Sequence, residues 1–416
     1  MSKLSDRGVF LTLTATRWLP VGLVIGLFPL LALERGLTVS EVMTYAAAQG
    51  LAVLLLELPT SGFSDAFGRR PVLLAAGALN VAVGLVYLAA QSFWAFALAA
   101  TLMGVYRALD SGPLEAWYVD RVHAREPAAD VAVDLSRQST ITGLSLASGA
   151  LAAGAIIAWH PFTAYSALVG PLLCFLALAI VHLVATAALL SEPAPGVRPW
   201  RRAMDSVRQT GPIVVGGLGL LRRNRVLASL VGVEMFWAVG MLVAEQMHPI
   251  RLAELLGSEE RAGAWNAPAA AAAWGAFGLG AALVGALAPW LGTARTAILA
   301  RLLHGLGAAS MGLMAGPTAL IGAFLLTNGL HGMANPPHAA LLHREATSGN
   351  RATVLSMNSM AMFAATSLAG PLIGWTAGVW STSSAMVAGG LWSLLGAFLY
   401  LPALRQERAQ AGSKSI

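Results

Sequence analysis

The stretch VLLAAGALNVAVGLVYLAA, residues 72–90, decides the fold class. It has no charged side chain and is apolar on every face of a helix. Its length matches the roughly 20 residues that a helix needs to cross the hydrocarbon core of a bilayer. A strand of an outer-membrane barrel would instead alternate apolar and polar at every second residue. Stretches of the same kind recur along the chain, from 9–33 to 382–402. The 416 residues are 57% hydrophobic and only 11% charged, against about 25% charged in soluble domains. Mean hydropathy is +0.68. At roughly 20 residues per span plus short loops, the chain holds about 12 spans. That excludes a single-anchor receptor, a peripheral enzyme and a secreted domain.

The basic residues test this number, because Lys and Arg concentrate in short cytoplasmic loops. With twelve spans and the N-terminus inside, 20 of the 26 basic residues fall in inside segments, and three, Arg35, Arg251 and Arg261, fall outside. Arg17, Arg107 and Arg301 lie within spans. A miscounted span would scramble that division. The expected architecture is an all-α integral membrane protein with 12 transmembrane helices and both termini cytoplasmic. It has an N-terminal six-helix bundle (1–190), a cytoplasmic linker with an amphipathic segment (191–225) and a C-terminal six-helix bundle (226–416). The run at 9–33 reads as a retained first span, since a cleaved signal peptide has a shorter apolar core and an Ala-x-Ala site. The linker, arginine-rich and carrying Trp200, suits the anionic lipid of the inner leaflet. The net charge of +6 does not point to nucleic acid, because no stretch joins a soluble fold to a basic face with interleaved aromatics. The single cysteine, Cys174, excludes a disulfide framework and a cysteine-only metal site. Arginine outnumbers lysine 24 to 2, which points to a high-GC bacterium and hence to a bacterial inner membrane.

The two halves echo each other. Ser61-x-x-x-Asp65-x-x-Gly68-Arg69-Arg70 is matched by Gly285-x-x-x-Pro289-x-x-Gly292-x-x-Arg295, offset by 224. Gly149 to Gly154 in the fifth span matches Gly370 to Gly374 in the eleventh, offset by 221, and Pro113 in the fourth meets Pro336 in the tenth, offset by 223. Three offsets that agree this closely indicate a tandem duplication of a six-span unit. Parallel six-span repeats are a transporter plan, with the substrate site between the halves near the midplane.

These residues resemble the major facilitator superfamily. Its signature between spans 2 and 3 reads Gly-x-Leu-Ala-Asp-Arg-x-Gly-Arg-Lys, and this chain has Ser61-Gly-Phe-Ser-Asp65-Ala-Phe-Gly68-Arg69-Arg70. Asp65, Gly68, Arg69 and Arg70 match, whereas Ser61 and Ala66 depart from the pattern. Ser111-Gly-Pro-Leu-Glu-Ala116 and Arg351-Ala-Thr-Val-Leu-Ser356 are similar to bacterial drug and metabolite efflux members. The antiporter signature of span 5 survives only as Ser145-x-x-x-Gly149-Ala-x-x-Ala-Gly154. The resemblance implies two six-helix bundles related by a pseudo-two-fold axis along the membrane normal, acting as a monomer.

At the loop motif, Asp65 stands at the end of the second span, where the helix dipole disfavours an anion, so it calls for a cation. Asp65, Arg69, Asp120 and Arg121 form a candidate cytoplasmic ion-pair latch, with Gly68 making the turn and Arg70 beside it. The bland alternative is that Arg69 and Arg70 only fix topology.

An ionisable group inside a span is costly and usually faces a cavity or a partner. Span 1 has Arg17, span 4 has Arg107, Asp110 and Glu115, span 7 has Glu234 and Glu245, and span 10 has Asn328, His331, Asn335 and His338. In the family these four spans line the central cavity. Asn328, His331, Asn335 and His338 form one helical stripe, and Glu234, Trp237, Met241 and Glu245 another. Gly112-Pro113 and Pro336-Pro337 are expected to interrupt their helices at matching places. Cavity candidates are therefore Arg17, Glu115, Trp237, Met241, Glu245, Asn328, His331 and Asn335. Ordinary packing is the competing reading for Trp237 and Met241, and plain hydration for Glu245 and Asn335.

No Gly-x-x-x-x-Gly-Lys-Ser/Thr loop is present, nor His-Glu-x-x-His or Gly-x-Ser-x-Gly. The sequence therefore indicates neither an ATP-driven pump nor an enzyme, and implies no cofactor or metal. A gradient must drive transport. Burial disfavours the charged form of a carboxylate, so Asp110 and Glu234 are the proton-coupling candidates, with Arg107 beside Asp110 at one helical turn. The partners expected are a small-molecule substrate, the proton and membrane lipid. Five in-span acids against three bases favour a cationic or neutral amphipathic substrate. The leading expectation is proton-coupled efflux of a small hydrophobic or cationic compound. Proton-linked uptake of a small polar nutrient is the alternative, with a transport-inactive sensor and an intramembrane enzyme behind it.

Overall fold

The computed structural model describes residues 4–192, 199–347 and 349–413. Lys3, Arg198 and Lys414, which entered the charge division, and residues 193–198 of the expected linker lie outside the described residues. Among the described residues there are helices and no strand. The first half runs α1 (Asp6–Leu23), α2 (Leu27–Glu34), α3 (Val39–Ser61), α4 (Phe63–Phe67), α5 (Arg69–Ala89), α6 (Phe93–Asp110), α7 (Pro113–Arg125), α8 (Ala132–Trp159) and α9 (Val169–Leu189). Then comes α10 (Pro199–Arg223). The second half runs α11 (Arg225–Leu242), a π turn (Val243–Met247), α12 (His248–Leu256), α13 (Glu259–Leu291), α14 (Thr293–Leu313), α15 (Pro317–Glu345), α16 (Arg351–Val379), α17 (Thr382–Leu395), a 3-10 turn (Gly396–Tyr400) and α18 (Leu401–Ser413).

Among the described residues, ten helical segments are long and apolar enough to cross a membrane. The two expected spans that fall short are α6 and α15, the fourth and the tenth. These are the helices that carry Arg107 and Asp110 in one half and the Asn–His stripe with two prolines in the other. These polar side chains lower the apolarity of both helices.

Three of the four polar spans are also broken. The first bends at Val24–Gly26, where Gly26 takes φ +70°, and Asn266 of α13 donates to the freed Ile25 carbonyl at 3.3 Å. The fourth breaks at Ser111–Gly112, with Gly112 at φ +92°. The seventh carries the π turn. The tenth is different: α15 continues straight through Pro336 and Pro337. A proline's fixed φ is compatible with a helix, and no left-handed glycine turns the chain there.

The chain forms two compact units. One comprises Met1–Arg35, Leu51–Thr210 and Gly263–Ala271, the other Gly36–Gly50, Gly211–Ala262 and Ala272–Ile416. In the first, α1 and α8 approach closely: a Cβ on Gly22 would collide with the Leu146 carbonyl, and one on Gly149 with that of Leu19. In the second, α13 meets α15 at Gly280 and Gly329, again backbone to backbone. Small residues let backbones touch where lipid offers no hydrophobic drive for helix association. The core of the first unit centres on Val9, Phe10, Leu13, Trp117 and Tyr118. That of the second centres on Leu230, Val233, Ala297, Leu341 and Tyr400.

Candidate functional site

In the first unit the break after α6 leaves helix-end carbonyls without intrahelical partners. Neighbouring side chains satisfy them. Arg17 Nη2 of α1 donates to the Asp110 carbonyl at 3.1 Å, and Thr60 Oγ1 of α3 donates to the Ala108 carbonyl at 3.3 Å. The same arginine pairs Nε with the Asp110 carboxylate at 2.5 Å, the two side chains being 17% and 4% exposed. The Tyr106 side chain, one turn earlier on α6, neighbours both. Asp110 is thus held as a charge-assisted pair linking α1 to α6. The cation is Arg17 from another helix. Arg107 is exposed and acts electrostatically on Glu57 of α3. His182 of α9 joins the periphery through Thr16, 2.9 Å from its Nδ1.

The second unit holds a larger cluster. Glu234 of α11 and His338 of α15 pair at 3.0 Å, 3% and 6% exposed. His338 Nδ1 lies 2.8 Å from the Tyr400 hydroxyl, and its Nε2 lies 3.3 Å from Asn358 Oδ1 of α16. Arg301 of α14, 1% exposed, donates through Nε to Tyr400 at 3.2 Å. Its guanidinium carbon sits 4.8 Å over the Trp237 ring. That ring stacks on His331 at 5.2 Å, which in turn faces His304 at 5.7 Å. Here the first span of the half supplies the acid and the fourth supplies the base. In the first unit the roles are exchanged, with the base on α1 and the acid on α6.

Other expected site residues are more dispersed. Glu115 is exposed in the first turn of α7, where the helix dipole favours it. Glu245 is exposed within the π turn. Met241 and Asn335 are half-buried. Asn328 donates to the Phe324 carbonyl of its own helix at 2.9 Å.

At the 61–70 loop, Gly68 (φ +90°, ψ 155°) starts α5, and Arg69 pairs with Asp120 at 2.5 Å. Arg121 pairs instead with Asp6 of α1 at 3.2 Å, and Arg125 with the same carboxylate at 2.8 Å. Asp65 is exposed, and lies in the first turn of the separate short helix α4. An anion is welcome in a first turn, so the expected need for a cation disappears. Arg70 donates to the Ala187 carbonyl at 2.8 Å.

Several contributors were not singled out in the sequence. Glu192 accepts from the Arg70 backbone N–H at 2.9 Å. Its counterpart Glu407 accepts from Thr293 and Ala294 at 3.1 and 2.9 Å, at the start of α14 behind Gly292 (φ +83°, ψ 154°). Each carboxylate caps the helix that follows the repeated glycine. Asp134 gathers Arg7 at 2.8 Å, Arg137 at 2.9 Å and the Tyr118 hydroxyl. Arg301 and Tyr400 were also passed over. The available signal for Arg301 was an arginine in the middle of an apolar span, which demands a partner.

The model of the Major Facilitator Superfamily matches residues 10–368. No curated protein matches the chain. Among solved structures, a variant of the nucleoside transporter NupG superposes with a TM-score of 0.75 at 10% identity, covering 96% of this chain and 99% of that one. A POT family transporter bound to 5-aminolevulinic acid gives 0.71 at 13% identity, covering 95% of each chain. A structure of proton-dependent oligopeptide transporters gives 0.70 at 12%, covering 97% and 99%. At such identities these likenesses speak for the fold, and with the family match over most of its length this multi-pass transporter chain belongs to the Major Facilitator Superfamily.

Proposed function

We propose that the protein is a proton-coupled antiporter that exports a small hydrophobic or cationic compound by alternating access. The observation that carries this reading is that a polar span of each unit holds a buried carboxylate, Asp110 in one and Glu234 in the other, tied to a base on another helix. Taking up a proton neutralises the acid and weakens a bond between helices, which is what a coupling site has to do. The Arg69–Asp120 pair and the Asp6–Arg121–Arg125 cluster are placed to hold one conformational state. The charge division supports a bacterial inner membrane location with both termini inside. The likeness of the loop motif to bacterial efflux members supports export.

Proton-linked uptake of a small polar nutrient is the second reading. It is favoured by the hydrogen-bonding character of the buried groups, Arg17, His338 and Asn358 among them. The nucleoside and peptide transporters of similar fold are in keeping with it.

The test is reconstitution in proteoliposomes with an imposed pH gradient and ethidium as a lipophilic cation probe. Gradient-driven flux should fall at least tenfold in Asp110→Asn or Glu234→Gln. Full flux in the double variant would refute the coupling assignment. Ethidium accumulation in the direction of proton entry would refute antiport in favour of uptake.

A further inference from the structure

The second-unit cluster has a direction built into it. Arg301 is always protonated and has no acceptor. Its Nε–H therefore donates to the Tyr400 oxygen, 3.2 Å away. With that oxygen accepting, the Tyr400 O–H has His338 Nδ1 at 2.8 Å as its acceptor. That places the histidine proton on Nε2, which faces Glu234 Oε1 at 3.0 Å and Asn358 Oδ1 at 3.3 Å. Both of these oxygens accept. The whole path Arg301→Tyr400→His338→Glu234 thus runs one way, from a fixed cation to a carboxylate. Reversing it would leave the Tyr400 O–H pointing at a guanidinium that cannot accept.

We propose that Arg301 and Tyr400 are positioning residues for the proton carried at Glu234: their one-way chain fixes His338 as a donor to Glu234, so that protonating Glu234 loosens the tie between α11 and α15. The proposal rests on the reading of Glu234 as a proton carrier and specifies how its site is controlled. A histidine donating to a carboxylate makes a charge-assisted bond, and protonation reduces it to a neutral one of roughly half the strength. Arg301 and Tyr400 sit on helices outside the set of four polar spans, on α14 and in the 3-10 turn before α18. The charge state of one polar span is therefore set from two other elements of its own unit.

The titratable and charged groups on the elements packed around Glu234 are few. From α15 come His338 and, farther along, His331. From α14 come Arg301 and His304, and from the 3-10 turn comes Tyr400. From α16 comes Asn358, the only charged residue of that helix being Arg351 at its start. Helix α17 has no charged residue. Near the end of the unit, α11 begins with Arg225, and α18 carries Arg405, Glu407 and Arg408. Arg301 is thus the one buried cation of the cluster, and the only route of hydrogen bonds from it to Glu234 among the described residues passes through Tyr400.

Infrared difference spectroscopy of the purified protein during pH steps tests this without knowledge of the substrate. Glu234→Gln identifies the carboxyl band of Glu234. Tyr400→Phe, which keeps the ring and removes only the hydroxyl, should move the midpoint of that band to higher pH by about one unit, a tenfold change in proton affinity. Arg301→Gln should move it at least as far in the same direction, and Arg301→Lys, which keeps the charge, should restore part of the shift. A midpoint within about 0.3 unit of the parent in Tyr400→Phe and Arg301→Gln, with melting temperatures unchanged, would reduce both residues to packing and overturn the proposal. If no band disappears in Glu234→Gln, Glu234 does not titrate, and the coupling assignment fails together with the relay.

Discussion

Replacing Arg17 by methionine isolates the Asp110 pair. The change leaves the aspartate, whose side chain is 4% exposed, as a buried carboxylate without its cation. It also removes the donor to the Asp110 carbonyl at the α6 break. Removing one partner of a buried pair is destabilising by about 3–5 kcal/mol. At roughly 2–4 °C per kcal/mol for a unit of this size, the melting temperature should drop by roughly 6–20 °C. Asp110→Leu should do comparable damage by stranding Arg17. The double variant Arg17→Met with Asp110→Leu replaces both charges by apolar groups of similar volume, which is often close to neutral. Its loss should therefore be well below that of either single change. The penalty in Arg17→Met should also be smaller at pH 5 than at pH 8, because a protonated Asp110 carries no charge to strand. The assay is thermal unfolding of the purified protein followed by intrinsic fluorescence, read as a double-mutant cycle. If the double variant loses as much as the two single variants together, the residues act independently. The pair then does not hold α1 to α6. If the stable double variant still moves ethidium down an imposed proton gradient at the parent rate, Asp110 carries no coupling proton.

Three other outcomes follow from the geometry. Arg69→Ala should change melting by less than about 1 kcal/mol, as for any partly exposed pair, yet slow ethidium flux more than Asp65→Asn does; the reverse order would place the latch at Asp65. Gly68→Ala and Gly292→Ala should each destabilise by about 1–3 kcal/mol in thermal unfolding, because their backbone lies in a region nearly reserved for glycine, and a neutral result at either would disprove the strain. In a Cys174→Ser background, Trp200→Cys should resist an impermeant thiol reagent added to intact cells and react in inverted vesicles; labelling from outside would overturn the inferred orientation of α10.

The sequence made the helices, their number and the repeat legible because each is a property of apolar length, loop charge or spacing, and each acts locally. The glycines at 68 and 292 were recognisable for the same reason, since a left-handed turn at a helix start demands them. Pairing was much less visible. Asp110 and Glu234 stood out as costly groups in apolar surroundings, but their partners come from helices far away in sequence: Arg17 is 93 residues from Asp110, and Tyr400 is 99 from Arg301. Helical phase relates a residue to its own helix, which is why Arg107, one turn from Asp110, looked like the natural cation. Phase is silent on which neighbour fills the gap at the α6 break. It also placed Asp65 at the end of a long helix, whereas Gly62 ends that helix and lets α4 start anew, so the sign of the dipole at Asp65 is reversed. The prolines of α15 misled in the opposite sense. A proline removes one donor without forcing a turn, so a break needs a residue free to take positive φ, as Gly112 does between α6 and α7. The two halves therefore share a plan of spans but differ in how the fourth helix of each is built. The first unit breaks that helix and fastens it with a direct ion pair. The second keeps it whole and reaches its acid through a histidine and a tyrosine. In the first unit a proton at Asp110 competes with an arginine that never releases its charge, while in the second it meets a histidine that can exchange one. In the proposed coupling role the two carboxylates are for that reason unequal, and Glu234 is the better placed candidate of the pair.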